Sequence, residues 1–173
     1  MPELLVGYDD FIETLCRDLD ATDRGDRVAY RTYILEPGDS SERVLAAFTR
    51  AAERGVEIAI DVDWTAGSHL SRTWERTGTL IPQVLALAAR FPHVHAAKRR
   101  IPDHSKSIRF HRQRAPDSAL FGGMNLGDRF RPWRDFMVRV EGARVAEVGT
   151  AISDSRTAPA AFDPAAELSL VSN

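Results

Sequence analysis

The sequence predicts an α/β domain, a mixed β-sheet flanked by helices, from three observations. Residues 26–62 read as strand, helix, strand; residues 104–140 read as three short strands, the first two joined by a tight polar turn; and 173 residues suffice for one core. A strand–helix–strand unit makes parallel neighbours or near neighbours through a right-handed crossover, whereas a tight turn makes antiparallel ones. Both kinds of pairing in one chain make the sheet mixed.

Phe11, Ile12, Leu15 and Leu19 recur at helical spacing and predict a helix over residues 8–21, with Cys16 beside the apolar stripe and so read as core. Residues 26–35, DRVAYRTYIL, are rich in β-branched and aromatic side chains and stop at the turn signal Glu36-Pro37-Gly38. Asp39 and Glu42 then resemble a capping box. Val44, Leu45, Phe48, Ala51 and Ala52 supply an apolar stripe, and Gly55 stands where a helix C-terminus is expected. Val56–Val62 is the next strand. Residues 63–79 read as a loop with one short helical piece, Leu80–Arg90 as a helix with Pro82 in its first turn, and residues 93–97 as a short strand. His93 and His95 would share a strand face, but with no acidic or cysteine partner nearby they read as ordinary histidines.

Residues 104–112 and 118–124 predict two strands joined by Gln113–Asp117, and Asp135–Val140 a third. A final helix is expected around Val145, Ala146 and Val148. Residues 1–150 are thus read as one domain, and residues 151–173, with Pro159, Pro164 and many small residues, as a loosely ordered tail.

Composition narrows the function classes. A single cysteine excludes an internal disulfide and every cysteine-based zinc cluster, and fits a reducing compartment. The longest mostly apolar window, Leu80–Ala89, is too short for a membrane span and contains Pro82 and Gln83. The N-terminus has no basic region of the kind that opens a signal peptide. The expected location is therefore cytoplasmic, with peripheral contact at a membrane if the substrate is a lipid. The net charge of −2 hides an asymmetry: residues 98–144 carry 12 basic and 5 acidic side chains, the first 97 residues 10 and 16. Such a basic island suggests one face that receives an anion.

Within that island, His104 and Lys106 are two apart on a predicted strand, so the pleat sends both to one face. An imidazole and an ammonium there can meet one anion. Gly122 and Gly123 end the next strand and let a backbone or ligand approach closely, and Asn125 adds an amide donor. The glycines equally fit a β-bulge, and the asparagine a turn. Asp135 opens the following strand and can either orient the His104 imidazole or pair with Arg134 or Arg139.

Together, HSK, FGGMNLGDRF and PWRDFMVRVEG resemble the HxK motif region of the phospholipase D superfamily, and most closely its cardiolipin synthase-type branch. YILEPGDSSERVLAAFTRAAERGVEIAIDVD is similar to that family's βαβ segment, so the resemblance covers roughly residues 26–148. It implies a phospholipase D-like half-domain and a metal-independent phosphodiester exchange through a phosphohistidine, without a cofactor. It assigns His104 as nucleophile or partner acid, Lys106 and Asn125 to the phosphoryl oxygens, and Asp135 to the carboxylate that orients the histidine. Gly122, Gly123 and Arg109 are expected to contact substrate. The family's motif continues with four residues and an aspartate, where this chain has His111, and the stretch from there to the glycines is about four residues longer.

The reaction needs two histidines, one to attack phosphorus and one to protonate the departing alkoxide, and this sequence holds one motif. General acid catalysis is worth roughly 10²–10⁴ in rate. The expected partner is therefore a second copy in a homodimer, or another chain or missing half with its own motif. The favoured substrate is a phospholipid or other phosphodiester. The alternatives are a nuclease of the same superfamily, with Lys98, Arg99, Arg100, Arg109, Arg112 and Arg114 lining a backbone groove, and a catalytically inactive half-domain.

Overall fold

The computed structural model describes residues 1–63, 80–99 and 104–146. Seven strands form one mixed sheet: β1 (Glu3–Leu5), β2 (Arg27–Thr32), β3 (Glu57–Asp63), β4 (Val94–Arg99), β5 (Lys106–His111), β6 (Ser118–Gly122) and β7 (Met137–Glu141), in the order β1-β7-β6-β5-β2-β3-β4. The helices are α1 (Tyr8–Asp20), α2 (Asp39–Glu53) and α3 (Ile81–Arg90), with a 3₁₀ turn at Asp128–Phe130.

As the crossover pattern requires, β2 and β3 are parallel neighbours, and β3 pairs in parallel with β4. From β2 outward through β5, β6 and β7 to β1 every pairing is antiparallel. The expected hairpin joins β5 to β6 through the polar turn. Of the loop expected over residues 63–79, Asp63 instead ends β3 and residues 64–79 lie outside the described residues, as does the tail at 151–173; only residues 144–146 of the final helix fall within them.

One face of the sheet carries the main core. Val28 and Tyr30 of β2, Ile58 and Ile60 of β3 and Ile108 and Phe110 of β5 point to it, alternating with residues on the other side. The α1 stripe of Phe11, Ile12, Leu15 and Leu19 is buried there, as are Val44, Ala47 and Phe48 of α2 and Val84 and Leu87 of α3. Each fully buried large side chain contributes roughly 1.5–3 kcal/mol. Cys16 packs at the edge of this core, half-buried, and burial pushes its thiol pKa up. Ala119, Phe121, Val140 and Val145 form a smaller cluster on the opposite face.

Two local features differ from the sequence reading. The three-residue edge strand β1 was not foreseen: its antiparallel register against β7 depends on residues more than 130 positions away. The capping box is also corrected. Asp39 is the first residue of α2 rather than its cap, and no side chain of the segment itself closes the helix start. The carboxylate of Asp128 does so from the 3₁₀ turn, accepting from Asp39 N at 2.7 Å and Ser40 N at 3.2 Å. At the other end Gly55, with φ +87°, follows the helix as expected.

Candidate functional site

Strand register brings the motif residues to one end of the sheet. Lys106 of β5 stands beside Gly122 of β6, and Gly122 beside Met137 of β7. His104 lies two residues before Lys106, Met124 and Asn125 follow Gly122, and Asp135 lies two residues before Met137. All three connections therefore leave or enter the sheet at the same edge. His104 sits just before β5 rather than within it, exposed, while Lys106 is only 3% exposed.

A buried ammonium must have polar partners. The Lys106 Nζ donates to the His104 carbonyl at 2.6 Å and stands 3.0 Å from Nδ1 and 3.2 Å from Nε2 of the same residue. Near-equal distances to the two ring nitrogens place the ammonium over the face of the imidazole, because an in-plane position at that range would overlap Cε1. Neither in-plane nitrogen lone pair is therefore spent on the ammonium. The ring of Tyr33, just past β2, meets the imidazole edge-on with centroids 4.5 Å apart, and Nζ lies 5.3 Å from the Tyr33 centroid.

Asn125, 6% exposed, has its orientation set by backbone: its Oδ1 accepts from Ile34 N at 3.1 Å. Only the carbonyl half of the amide can accept, so the NH₂ is the half not committed to Ile34. The strap after β2 is pinned to the loop after β6 by Leu126 N to Ile34 O at 3.3 Å and Glu36 N to Leu126 O at 3.0 Å. Farther along, the buried Glu36 pairs with Arg129 at 2.8 Å. Tyr8, from the start of α1, accepts a hydrogen bond from Gly127 N at 2.9 Å and meets Ser40 Oγ at 3.0 Å. Burial pushes its phenol pKa up.

A small cleft beside Asn125 is lined by Tyr8, Gly123, Met124, Trp133 and Asp135. Gly123 N donates to Phe136 O at 3.1 Å, so the β6 and β7 backbones stay close past the last ladder pair. A Cβ at Gly123 would overlap the Asp135 carboxylate, and one at Gly122 would overlap the Phe136 carbonyl. Gly122 is therefore needed for the close approach of the two backbones, whereas a Cβ at Gly123 would displace the Asp135 carboxylate. Asp135 Oδ1 accepts from Phe136 N at 2.8 Å. The hydrogen bond expected from His104 to Asp135 is not formed among the described residues, nor is an ion pair to Arg139, which is held by Asp18 at 2.7 Å.

Arg109 does not join the others. Odd-numbered positions of β5 point away from Lys106, and Arg109 lines a groove of about 230 Å³ on the other face with Arg27, Ala59, His111 and Asp117. Arg112 is likewise drawn off, donating to Asp18 O at 3.2 Å. The expected line of arginines therefore does not form among the described residues, and Arg100 and the side chains of Lys98 and Arg99 lie outside them. At the position where the resemblance predicts an aspartate, His111 Nδ1 lies 2.7 Å from Asp117 Oδ2, and Asp117 Oδ1 accepts from Arg112 N at 2.9 Å. This carboxylate comes from the last residue of the turn before β6. Burial works to raise the Asp117 pKa, but the Arg112 amide and the His111 ring hold it below its ordinary value on balance.

Tyr33, Trp133 and the Ile34 amide were not singled out from the sequence. Only the position of Tyr33 at the end of a strand was available as a signal, and spacing alone does not reveal that this strand lies beside the one that follows His104.

No family model matches the chain, and no curated protein sequence matches it. Solved structures do. Nuc, a phospholipase D family member from Salmonella typhimurium, matches with a TM-score of 0.59 at 15% identity, over 90% of this chain and 94% of that one. NucT from Helicobacter pylori matches with a TM-score of 0.63 at 11% identity, over 90% and 94%. Phosphatidylserine synthase from Haemophilus influenzae Rd KW20 matches with a TM-score of 0.63 at 14% identity, over 88% of this chain and 36% of that one. A seven-stranded mixed sheet with flanking helices, similar to these chains over nine-tenths of its length, has the phospholipase D-like fold.

Proposed function

We propose that this chain catalyses hydrolysis or transfer at a phosphodiester through a phosphohistidine formed on His104. The observation that carries the reading is the meeting of His104 with the buried Lys106 ammonium, 3.0 Å from Nδ1, at the sheet end that also holds Asn125 and Asp135. Fold likeness to a phospholipase D family member and to a phosphatidylserine synthase adds support.

A nitrogen of His104 attacks phosphorus, forming a P–N bond as the P–O bond to the leaving alkoxide breaks. A second imidazole gives the alkoxide its proton. Water or an alcohol then attacks phosphorus, the P–N bond breaks, and the second imidazole takes the proton from the incoming hydroxyl. Lys106 and the Asn125 NH₂ stabilise charge on the non-bridging oxygens. Attack on phosphorus uses an unprotonated ring nitrogen, so the reacting imidazole is neutral. Asp135, which makes no hydrogen bond to His104 among the described residues, is assigned to orient an imidazole of the completed site. The second imidazole comes from another copy of this chain, since a half-site lacks its general acid.

The cardiolipin synthase-type resemblance of GGMN and PWRD favours a phosphatidyl substrate. Among the described residues, Arg109 and Arg112 point away from the site, which weakens the groove expected of a nuclease. The test is turnover of a radiolabelled phospholipid and of a labelled oligonucleotide by the parent and by His104→Asn, with trapping of the phosphorylated histidine. The expected result is lipid turnover and a labelled enzyme in the parent only, with little dependence on salt. Turnover unchanged in His104→Asn would refute the mechanism. Oligonucleotide cleavage that falls steeply with salt would instead assign the nuclease function.

A further inference from the structure

We infer that Tyr33 is a positioning residue for His104, fixing the plane of the imidazole so that one ring nitrogen faces phosphorus. The inference rests on the reading of His104 as nucleophile. His104 is exposed and precedes its strand, so the ladder does not hold its side chain. The Tyr33 ring meets it at 4.5 Å between centroids with the planes 62° apart, an edge-to-face arrangement between aromatic rings. The Lys106 ammonium is 5.3 Å from the Tyr33 centroid, within cation–π range. Imidazole and phenol thus share one buried cation.

Tyr33 is itself held. The next residue, Ile34, gives its N–H to Asn125 Oδ1, and its carbonyl accepts from Leu126 N at 3.3 Å and from Thr32 Oγ1 at 3.0 Å. One short strap therefore orients the Asn125 amide and presents the ring that packs on the nucleophile. Its placement links the two groups that must act on one phosphoryl group, at the cost of no charged side chain.

Removing the ring leaves the imidazole free to sample other rotamers, and misplacement of a reacting group by about 1 Å costs on the order of 10²-fold in rate. Tyr33→Leu is expected to lower kcat for the diester by about 10- to 100-fold with KM little changed, and Tyr33→Phe, which keeps the ring, to restore the rate. A second readout does not depend on turnover. The His104 ring-proton resonances, assigned by their loss in His104→Asn among the five histidines of the chain, are expected to be shifted by the Tyr33 ring current in the parent and in Tyr33→Phe and to relax in Tyr33→Leu. Tyr33→Met replaces Tyr33→Leu if the latter does not fold. Resonances that stay in place in the ringless variant, or a rate lost equally in Tyr33→Phe, would overturn the inference. A parent with the ring-current shift but no diester turnover would overturn the proposed reaction instead, and the shift tells the two failures apart.

Discussion

At Gly123 a missing side chain decides where a charged one can be. The Asp135 carboxylate occupies the space a Cβ would need, and the amide of Gly123 ties β6 to the Phe136 carbonyl beyond the last ladder pair. Gly123→Ala must therefore push the carboxylate away or open the end of the β6–β7 pair. The expected result is a loss of diester turnover on the order of 10²-fold, with the far-ultraviolet spectrum unchanged. Turnover equal to the parent's would show that Asp135 need not occupy that place. The residues of the motif were legible as residue types: His104, Lys106, Asn125 and Asp135 do gather at one sheet end. Their contacts were not. The face-on ammonium, the Ile34 amide that turns Asn125 and the Tyr33 ring all come from elements brought together by strand order, which spacing along the chain does not encode.

Among the elements, α2 shows how a helix can depend on a distant loop. The amides at its start donate two hydrogen bonds to Asp128, 89 and 88 residues away. A negative carboxylate at a helix N-terminus satisfies otherwise unpaired N–H groups and interacts favourably with the helix dipole. The Ser40 side chain first, and then the amides of Ser40 and Asp39, hold the Asp128 pKa below its ordinary value, although burial opposes them. A carboxyl lowered in the folded state contributes stability above its unfolded pKa, about 3.9 for aspartate, and loses it as the pH falls through the folded value. Asp128→Ala is therefore expected to cost about 1 kcal/mol at pH 7. That difference should shrink as the pH falls below the unfolded value and on through the lowered folded one, as read from urea midpoints of parent and variant at pH 7 and in acid. A difference that persists undiminished in acid would show that the carboxylate charge is not what closes the helix. The element boundaries of α1, α2 and α3 were read from the sequence within a few residues because apolar periodicity and glycine positions are local. Asp39 was misread as a cap because a local rule cannot know that a better acceptor arrives from elsewhere.

On the scale of the molecule, the issue is where a second imidazole comes from. The chain spans 94% of Nuc and of NucT but only 36% of phosphatidylserine synthase. The proposed reaction takes that imidazole from another copy of this chain. Mixing parent and His104→Asn chains under conditions that exchange subunits tests this directly. If both histidines of one site come from two copies, an equal mixture retains about one quarter of the parent rate, because only parent–parent pairs are complete. Independent chains would retain about half, and that result, together with a monomeric mass in light scattering, would reject the shared site. Among the described residues no helix is long and apolar enough to cross a membrane.

What the sequence determined by itself was whatever rests on short-range regularity. Alternation marked β2 and β3, the 3.6-residue stripe marked α1 and α2, and a polar turn marked the β5–β6 hairpin; the strand expected to carry both His104 and Lys106 starts only at Lys106, and their meeting is made by the contacts of the lysine Nζ with His104. Tertiary structure decided which strands became neighbours and thus which groups meet: Tyr33 with His104, Ile34 with Asn125, Asp128 with α2, and Arg109 turned to the opposite face. The physical reason is that hydrogen-bonding and packing partners are chosen by register across the sheet, and a pair separated by some 70 to 90 residues leaves no periodic trace in the chain.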